Sequence, residues 1–475
     1  MKQKFVPITL AVLLLMLASL ACQAASGGTS VTATDVPAKP TAVEPTATEP
    51  AKGPKLPSTI VPGGTGIACF GLYEGGISCL DEKGWKTYTS KNADLPSDYV
   101  TDGALCPDGR MAFAQSDGVS LFDGKKWESI PQSKDYSSVD GLACAKDGSI
   151  WVAHFQGVSH YVKGSWTTYP SAELATGDSA NELVYDVKIG PDGAIWVVTS
   201  NSVAMFNDGK WKVFQQGQGF DEKMFFNAIT IDVDGRVWAA YGTGAAVYED
   251  GAWKLLDKGD YDSPSAIDFD AKGQLWLGTL SSGVSVYNGN TWSKYSRKSE
   301  DLSSDSINSI AADSAGRIWL ATSYGLTVFD GATWQTYRMD NSDIGDNNIR
   351  FGLVVKDGPT LPKLADKDKG SLVGVLHDAD GKSMPGMRVE ICVEPLGAQY
   401  SGDTPCSDQP FFLSTKTDEK GAFKIEDIPA GYYVIASETA TGWAQLTTEF
   451  GIGSERTLIA AGKKVDVGTL TLQKK

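Results

Sequence analysis

The chain has 475 residues, 41% hydrophobic and 21% charged, with a formal net charge of −16. That length and apolar content are enough for two packed cores. So acidic a surface repels nucleic acid and anionic lipid, which argues against nucleic-acid binding, and the lack of any CxxC pair argues against zinc or dithiol redox chemistry.

In chain order, Met1-Lys-Gln-Lys4 is a positive start, Phe5 to Leu20 an apolar stretch, and Ser19-Leu-Ala-Cys22 a cleavage region. The apolar run falls short of the ~20 residues a spanning helix needs. The pattern resembles a bacterial lipoprotein signal over residues 1–22, although Ser19 stands where leucine is commoner. The resemblance implies that Cys22 is lipidated and that the mature chain is exported and membrane-anchored on the extracytoplasmic side; ordinary secretion without lipid is the alternative. Residues 23–62, rich in Thr, Ala, Pro, Ser and Gly as in Pro45-Thr-Ala-Thr-Glu-Pro50, cannot bury enough apolar surface to fold and read as an extended tether.

Residues 63–358 repeat. Short segments centred on Trp85, Trp127, Trp166, Trp211, Trp253, Trp292 and Trp334 recur about every 40 residues, each holding four alternating apolar segments. The fullest copy is Asp313-Ser-Ala-Gly-Arg-Ile-Trp319-Leu-Ala-Thr-Ser-Tyr-Gly325-Leu-Thr-Val-Phe-Asp-Gly331. A first strand (Ile307–Ile310) leads through an Asp/Gly turn to a second around Trp319, a third follows a glycine turn, and an Asp-Gly pair opens the fourth. The array starts with only the last three strands of a unit, residues 66–88, and ends with a lone first strand, Asn348–Val355. Joined, these fragments complete a unit and close a ring without exposed edges. The expected fold class is all-β, a seven-bladed β-propeller. Phrases such as Asp232-Val-Asp-Gly-Arg-Val-Trp238 and Gly278-Thr-Leu-Ser-Ser-Gly-Val-Ser-Val-Tyr-Asn-Gly289 resemble the propeller repeats of extracytoplasmic sensor regions in two-component regulators. The resemblance implies binding of a glycan or related small molecule; with no kinase or receiver segment in this chain, signalling would need a partner.

A charged linker, residues 359–369, precedes a second module, residues 370–475. Ser371-Leu-Val-Gly-Val-Leu-His-Asp-Ala-Asp-Gly381, Pro385-Gly-Met-Arg-Val-Glu-Ile391, Thr417-Asp-Glu-Lys-Gly-Ala-Phe423 and Ile428-Pro-Ala-Gly-Tyr-Tyr-Val434 follow in order. This module resembles the carboxypeptidase-regulatory-like domain, which implies a transthyretin-like, Ig-like β-sandwich serving as a non-catalytic spacer or adhesion unit.

Beyond Cys22 the cysteines fall as local pairs, Cys69 with Cys79, Cys106 with Cys144, and Cys392 with Cys406, as suits disulfides in an exported chain. Second-strand tryptophans (Trp151, Trp196, Trp238, Trp276, Trp319) read as packing between blades, and Asp-rich turns such as Asp232–Gly235 and Asp378–Gly381 as turn chemistry rather than calcium loops. Neither a metal site nor a cofactor is expected. No HExxH, GxSxG or Walker motif occurs, and His154 stands without an obvious partner, so no catalytic residue is assigned.

What varies between repeats is the loops. Tyr73, Glu74, Asp117, Phe155, Gln156, Asn201, Tyr241 and Tyr324 lie between second and third strands, and Tyr136, Phe220, Phe225 and Tyr261 lie between units. Aromatic faces beside carboxylates and amides suit glycans or peptides. The expected role is a non-catalytic binding or sensing protein whose partner is a glycan, a peptide or a membrane protein. The alternatives are a lyase or hydrolase using loop carboxylates such as Glu74 and Asp117, and a scaffold for a membrane complex.

Overall fold

The computed structural model describes residues 66–134, 138–174, 183–220, 222–257, 263–299, 302–355, 358–393, 403–439, 442–446 and 456–472. Cys22, the tether, Tyr136 and Tyr261 lie outside the described residues. The described chain is all-β apart from two single 3-10 turns, Ser171–Glu173 and Arg297–Ser299. None of its helices is long and apolar enough to cross a membrane.

Residues 66–354 form successive sheets of four antiparallel strands in chain order, the fourth sheet adding a short parallel strand, Gly219–Phe220. The first sheet is composite. Ala68–Leu72, Ile77–Asp81 and Gly84–Tyr88 are joined by Ile349–Val354, paired antiparallel as Ala68 to Val354 and Phe70 to Gly352. In sheets two to seven the first strand is the inner one: Val100–Leu105, Gly141–Cys144, Val184–Ile189, Phe226–Ile231, Pro264–Phe269 and Ile307–Ala312. Each inner strand touches the next, and Ile307–Ala312 touches Ile349–Val354, which in turn touches Val100–Leu105.

The core is divided among the gaps between sheets rather than pooled. Phe70, Trp319 and Tyr337 pack between the seventh and first sheets, Val119 with Val152 between the second and third, and Trp238 with Phe269 between the fifth and sixth. The second-strand tryptophans are buried in these gaps, Trp238 at 0% and Trp319 at 1% exposure. Three of these indoles are also held by the turn. Asp232 Oδ2 accepts from Trp238 Nε1 at 2.7 Å while its Oδ1 accepts the backbone N–H of Arg236 at 2.9 Å. Asp313 does the same for Trp319 and Arg317, and Asp270 for Trp276 and Gln274. These carboxylates are used up by turn and indole, the structural role expected of the Asp-rich turns.

The second module holds two sheets. One comprises Gly370–His377, Ala422–Ile428 and Lys464–Thr471; the other comprises Arg388–Cys392, Phe412–Lys416, Gly431–Thr439 and Gly442–Leu446. Leu372, Leu376, Val389, Ile391, Ile425 and Ile435 fill the space between them. Disulfides join Cys69 to Cys79 across a hairpin, Cys106 to Cys144 between neighbouring sheets, and Cys392 to Cys406 in the second module.

Candidate functional site: the mouth of the central channel

Six of the seven inner strands break their ladder at the same place, the exception being Gly141–Cys144. The register shifts between Val100 and Asp102, Val184 and Asp186, Phe226 and Ala228, Pro264 and Ala266, and Ile307 and Ser309. The closing strand shifts in the same way, with Gly71 facing Phe351 but Leu72 facing Ile349. A bulge leaves one residue unpaired and re-aims its side chain. The residues so placed are Thr101, Tyr185, Asn227, Ser265, Asn308 and Arg350, and Asp140 holds the matching position before Gly141. All seven line one cavity of 500 Å³ enclosed by the inner strands.

Four of the seven have a structural task. Thr101 Oγ1, Asn227 Nδ2, Ser265 Oγ and Asn308 Nδ2 donate to the carbonyl oxygens of Val139, Pro264, Ile307 and Ile349, at 2.6, 3.1, 3.1 and 2.7 Å. Pro264, Ile307 and Ile349 begin the next inner strand and Val139 lies two residues before Gly141, so these bonds clasp neighbouring sheets. Asp140, Tyr185 and Arg350 line the cavity without making that clasp. Burial raises the Asp140 carboxyl above its ordinary range, and the Arg350 charge pulls it back. The Arg350 guanidinium lies 6.0 Å from the ring centroids of Tyr73 and Tyr99, whose rings meet edge-on at 5.2 Å.

Deeper in the channel, carboxylates staple alternate pairs of sheets. Asp102 accepts the Leu142 N–H at 2.8 Å, Asp186 that of Ile229 at 3.4 Å, and Asp268 that of Ala312 at 3.2 Å. Lys188 Nζ sits 2.6 Å from Asp186 and 4.0 Å from Asp102. Burial pushes Asp102 up to about 6 against the pull of Lys188, and burial likewise takes Asp268 to about 6. Burial works against the Lys188 charge, but Asp186 and Asp102 outweigh it and hold the lysine above its ordinary range.

The loop residues expected to bind ligand are scattered. Asp117, Phe155 and Gln156 are exposed loop tips, Phe155 at 54%. Asn201 is half-buried, its N–H donating to Thr199 Oγ1. Tyr241 and Phe220 are buried in the core between the fourth and fifth sheets, while Phe225 is exposed with Lys223 over its ring. Tyr324 is covered by the second module, stacked on Phe411 at 6.0 Å within the core that holds Tyr433. Tyr73 and Glu74 gather around Arg456 of the second module. His154 is buried, with Nδ1 accepting from the Gln156 N–H and Nε2 bonded to Ser159 Oγ, a pairing that fixes the ring as a local structural group. The channel-mouth residues were missed because a bulged residue breaks strict alternation. The available signal was a varied polar residue second in six of the inner strands, as in Val100-Thr-Asp, Val184-Tyr-Asp and Ile349-Arg-Phe.

A family model described as two component regulator propeller matches residues 301–324. Among solved structures, the chain is similar to the extracellular domain of BT4673, titled a hybrid two component system, from B. thetaiotaomicron, at 21% identity and a TM-score of 0.46. That match covers 59% of this chain and 38% of the other, so the chain spans well under half of its length. Virginiamycin B lyase from Staphylococcus aureus matches at 16% identity and a TM-score of 0.42 over 50% of this chain and 83% of its own. PorZ, a surface component of the type-IX secretion system of Porphyromonas gingivalis, matches at 14% identity and a TM-score of 0.41 over 82% of this chain and 63% of its own. No curated protein matches the chain.

Proposed function

We propose that this chain is a non-catalytic, extracytoplasmic binding or sensing protein, anchored through a lipid on Cys22 and held off the membrane by residues 23–62. In this reading residues 63–358 are a closed seven-bladed propeller, residues 359–369 a linker, and residues 370–475 a β-sandwich of the carboxypeptidase-regulatory-like kind. The partner is a glycan, a peptide or a protein, engaged at the channel mouth.

The observation that carries this reading is the ring of bulged positions. Seven positions, six of them bulged and the seventh Asp140 just before Gly141, line one cavity and carry six different residue types, four of the positions spent on holding sheets together. A purely structural ring would repeat the clasp at every site. Asp140, Tyr185 and Arg350 depart from it, offering an acceptor, an aromatic face and a cation, the mix that recognises a polar ligand in a concave site.

A thermal-shift screen of the full mature chain against glycans and peptides tests this. A saturable stabilisation by one chemical class, with the ligand recovered unchanged, is expected. Turnover of the ligand would overturn the non-catalytic reading.

A further inference from the structure

One cation of the second module is held as a ligand would be. Arg456 has a side chain 1% exposed and forks onto Asp346, whose side chain is 0% exposed. Nη1 and Nη2 donate to the two Asp346 oxygens at 3.1 and 2.6 Å, and Nε donates to Glu74 Oε2 at 3.3 Å. The guanidinium carbon lies 4.7 Å from the ring centroid of Tyr73 and 5.0 Å from that of Tyr432. A planar fork on a carboxylate, with aromatic rings against it, is the environment that selects arginine over lysine.

Three of these four groups come from the ring of sheets, from two loops at its seam. Tyr73 and Glu74 follow the strand Ala68–Leu72, and Asp346 precedes the closing strand Ile349–Val354. The seam carries its own bonds, and Asn347 Nδ2 also donates to the Ala430 carbonyl of the second module at 3.2 Å. The Tyr73 N–H donates to the Asn348 carbonyl at 3.1 Å, and Asp346 Oδ1 accepts the Asn348 N–H at 3.0 Å. Gly75 keeps it compact, since a Cβ there would lie 2.8 Å from Leu72 Cδ1 and 3.2 Å from Asp346 Cβ. A carboxylate buried this deeply is costly without a counter-charge. The ring therefore presents a carboxylate and aromatic face suited to a guanidinium.

We propose that Tyr73, Glu74 and Asp346 form an arginine-recognition site on the loop face, that Arg456 fills it in cis, and that an arginine side chain of a partner polypeptide competes for the same place. The second module then acts as a removable cover. It adjoins the channel mouth through Tyr73, whose ring also lies 6.0 Å from Arg350. A tethered occupant acts at an effective concentration of about millimolar, so the site is masked in the intact chain against weaker competitors.

The test is calorimetry on the full mature chain with N-acetyl-arginine amide and N-acetyl-lysine amide as probes. Arg456→Ala is expected to bind the arginine probe at least about tenfold more tightly than the parent chain does, and to prefer it over the lysine probe. Adding Asp346→Asn should abolish that binding. A folded Arg456→Ala chain that binds no better than the parent, or does not discriminate between the probes, overturns the proposal. Should Arg456→Ala fail to fold, Arg456→Lys keeps the charge but loses the fork. It is expected to bind the arginine probe better than the parent chain, and parity with the parent overturns the proposal.

Discussion

The two halves of the ring hold their sheets together by different chemistry at the same positions. In the fifth, sixth and seventh sheets a turn aspartate grips a buried indole: Asp232 to Trp238, Asp270 to Trp276 and Asp313 to Trp319. In the second sheet both partners are missing, with Cys106 where the aspartate would stand and Ala112 where the tryptophan would. There the cysteine leaves its own turn and bonds covalently to Cys144 of the third sheet. In the first sheet Cys69 replaces the tryptophan and bonds to Cys79 on the neighbouring strand. In the first and second sheets the fold thus uses a covalent staple in place of the indole clamp, while in the third and fourth Ala145 and Gly190 stand where the aspartate would and Trp151 and Trp196 pack without it.

The largest effect should come from breaking the clamp. Asp232→Ala or Asp313→Ala leaves a buried indole N–H without its acceptor and removes a buried ion pair to Arg236 or Arg317, because each aspartate side chain is 0% exposed and ion-paired. A loss of about 3–5 kcal/mol is expected in urea unfolding. A change under ~1 kcal/mol would mean that the indoles pack without needing the bond.

Next, the Cys106→Ser and Cys144→Ser double variant should lose about 2–4 kcal/mol, since it opens a link between residues 38 apart in sequence. The same variant should erase most of the destabilisation that reductant causes in the ring. If reductant destabilises the variant as strongly as the parent, the staple lies elsewhere.

A smaller effect follows from the channel carboxylates. Asp102 and Asp268 titrate near 6 in the folded protein against an ordinary 3.8. Between those values the folded state holds protons that the unfolded state has released, so this contribution falls as pH rises through the window. Relative to an Asp102→Asn, Asp268→Asn double variant, the parent chain should therefore gain stability as pH is lowered from about 7.5 to about 5. Parallel melting curves for the two chains across that range would show that the channel does not titrate this way.

The smallest effect is expected at the exposed loop tips. Phe155→Ala removes a ring that is 54% exposed and should shift stability by no more than about 0.5 kcal/mol. A larger loss in a melting experiment would show that the tip is packed in solution.

The strand pattern was legible because tryptophan and Asp-Gly recur on a fixed period, and even the pairing of Asn348–Val355 with the first strands follows from counting incomplete units. The cysteine pairs were legible as neighbours in sequence. The channel mouth was not, since a one-residue bulge contradicts the alternation by which strands are recognised, and Thr101, Asp140 and Arg350 share no residue type. Nor was the fate of Tyr73, Glu74 and Tyr324 legible. Their covering groups, Arg456 and Phe411, lie far along the chain, and nothing local marks a loop as a docking surface.

The most direct test of the central claim is calorimetry of the best ligand from the screen against the parent chain and the Asp140→Asn, Arg350→Ala and Asp117→Ala variants. Channel-mouth binding predicts that affinity falls at least about tenfold in Asp140→Asn or Arg350→Ala and stays at the parent value in Asp117→Ala. Unchanged affinity in both channel variants, or a loss confined to Asp117→Ala, would contradict it and move the site to the loop tips.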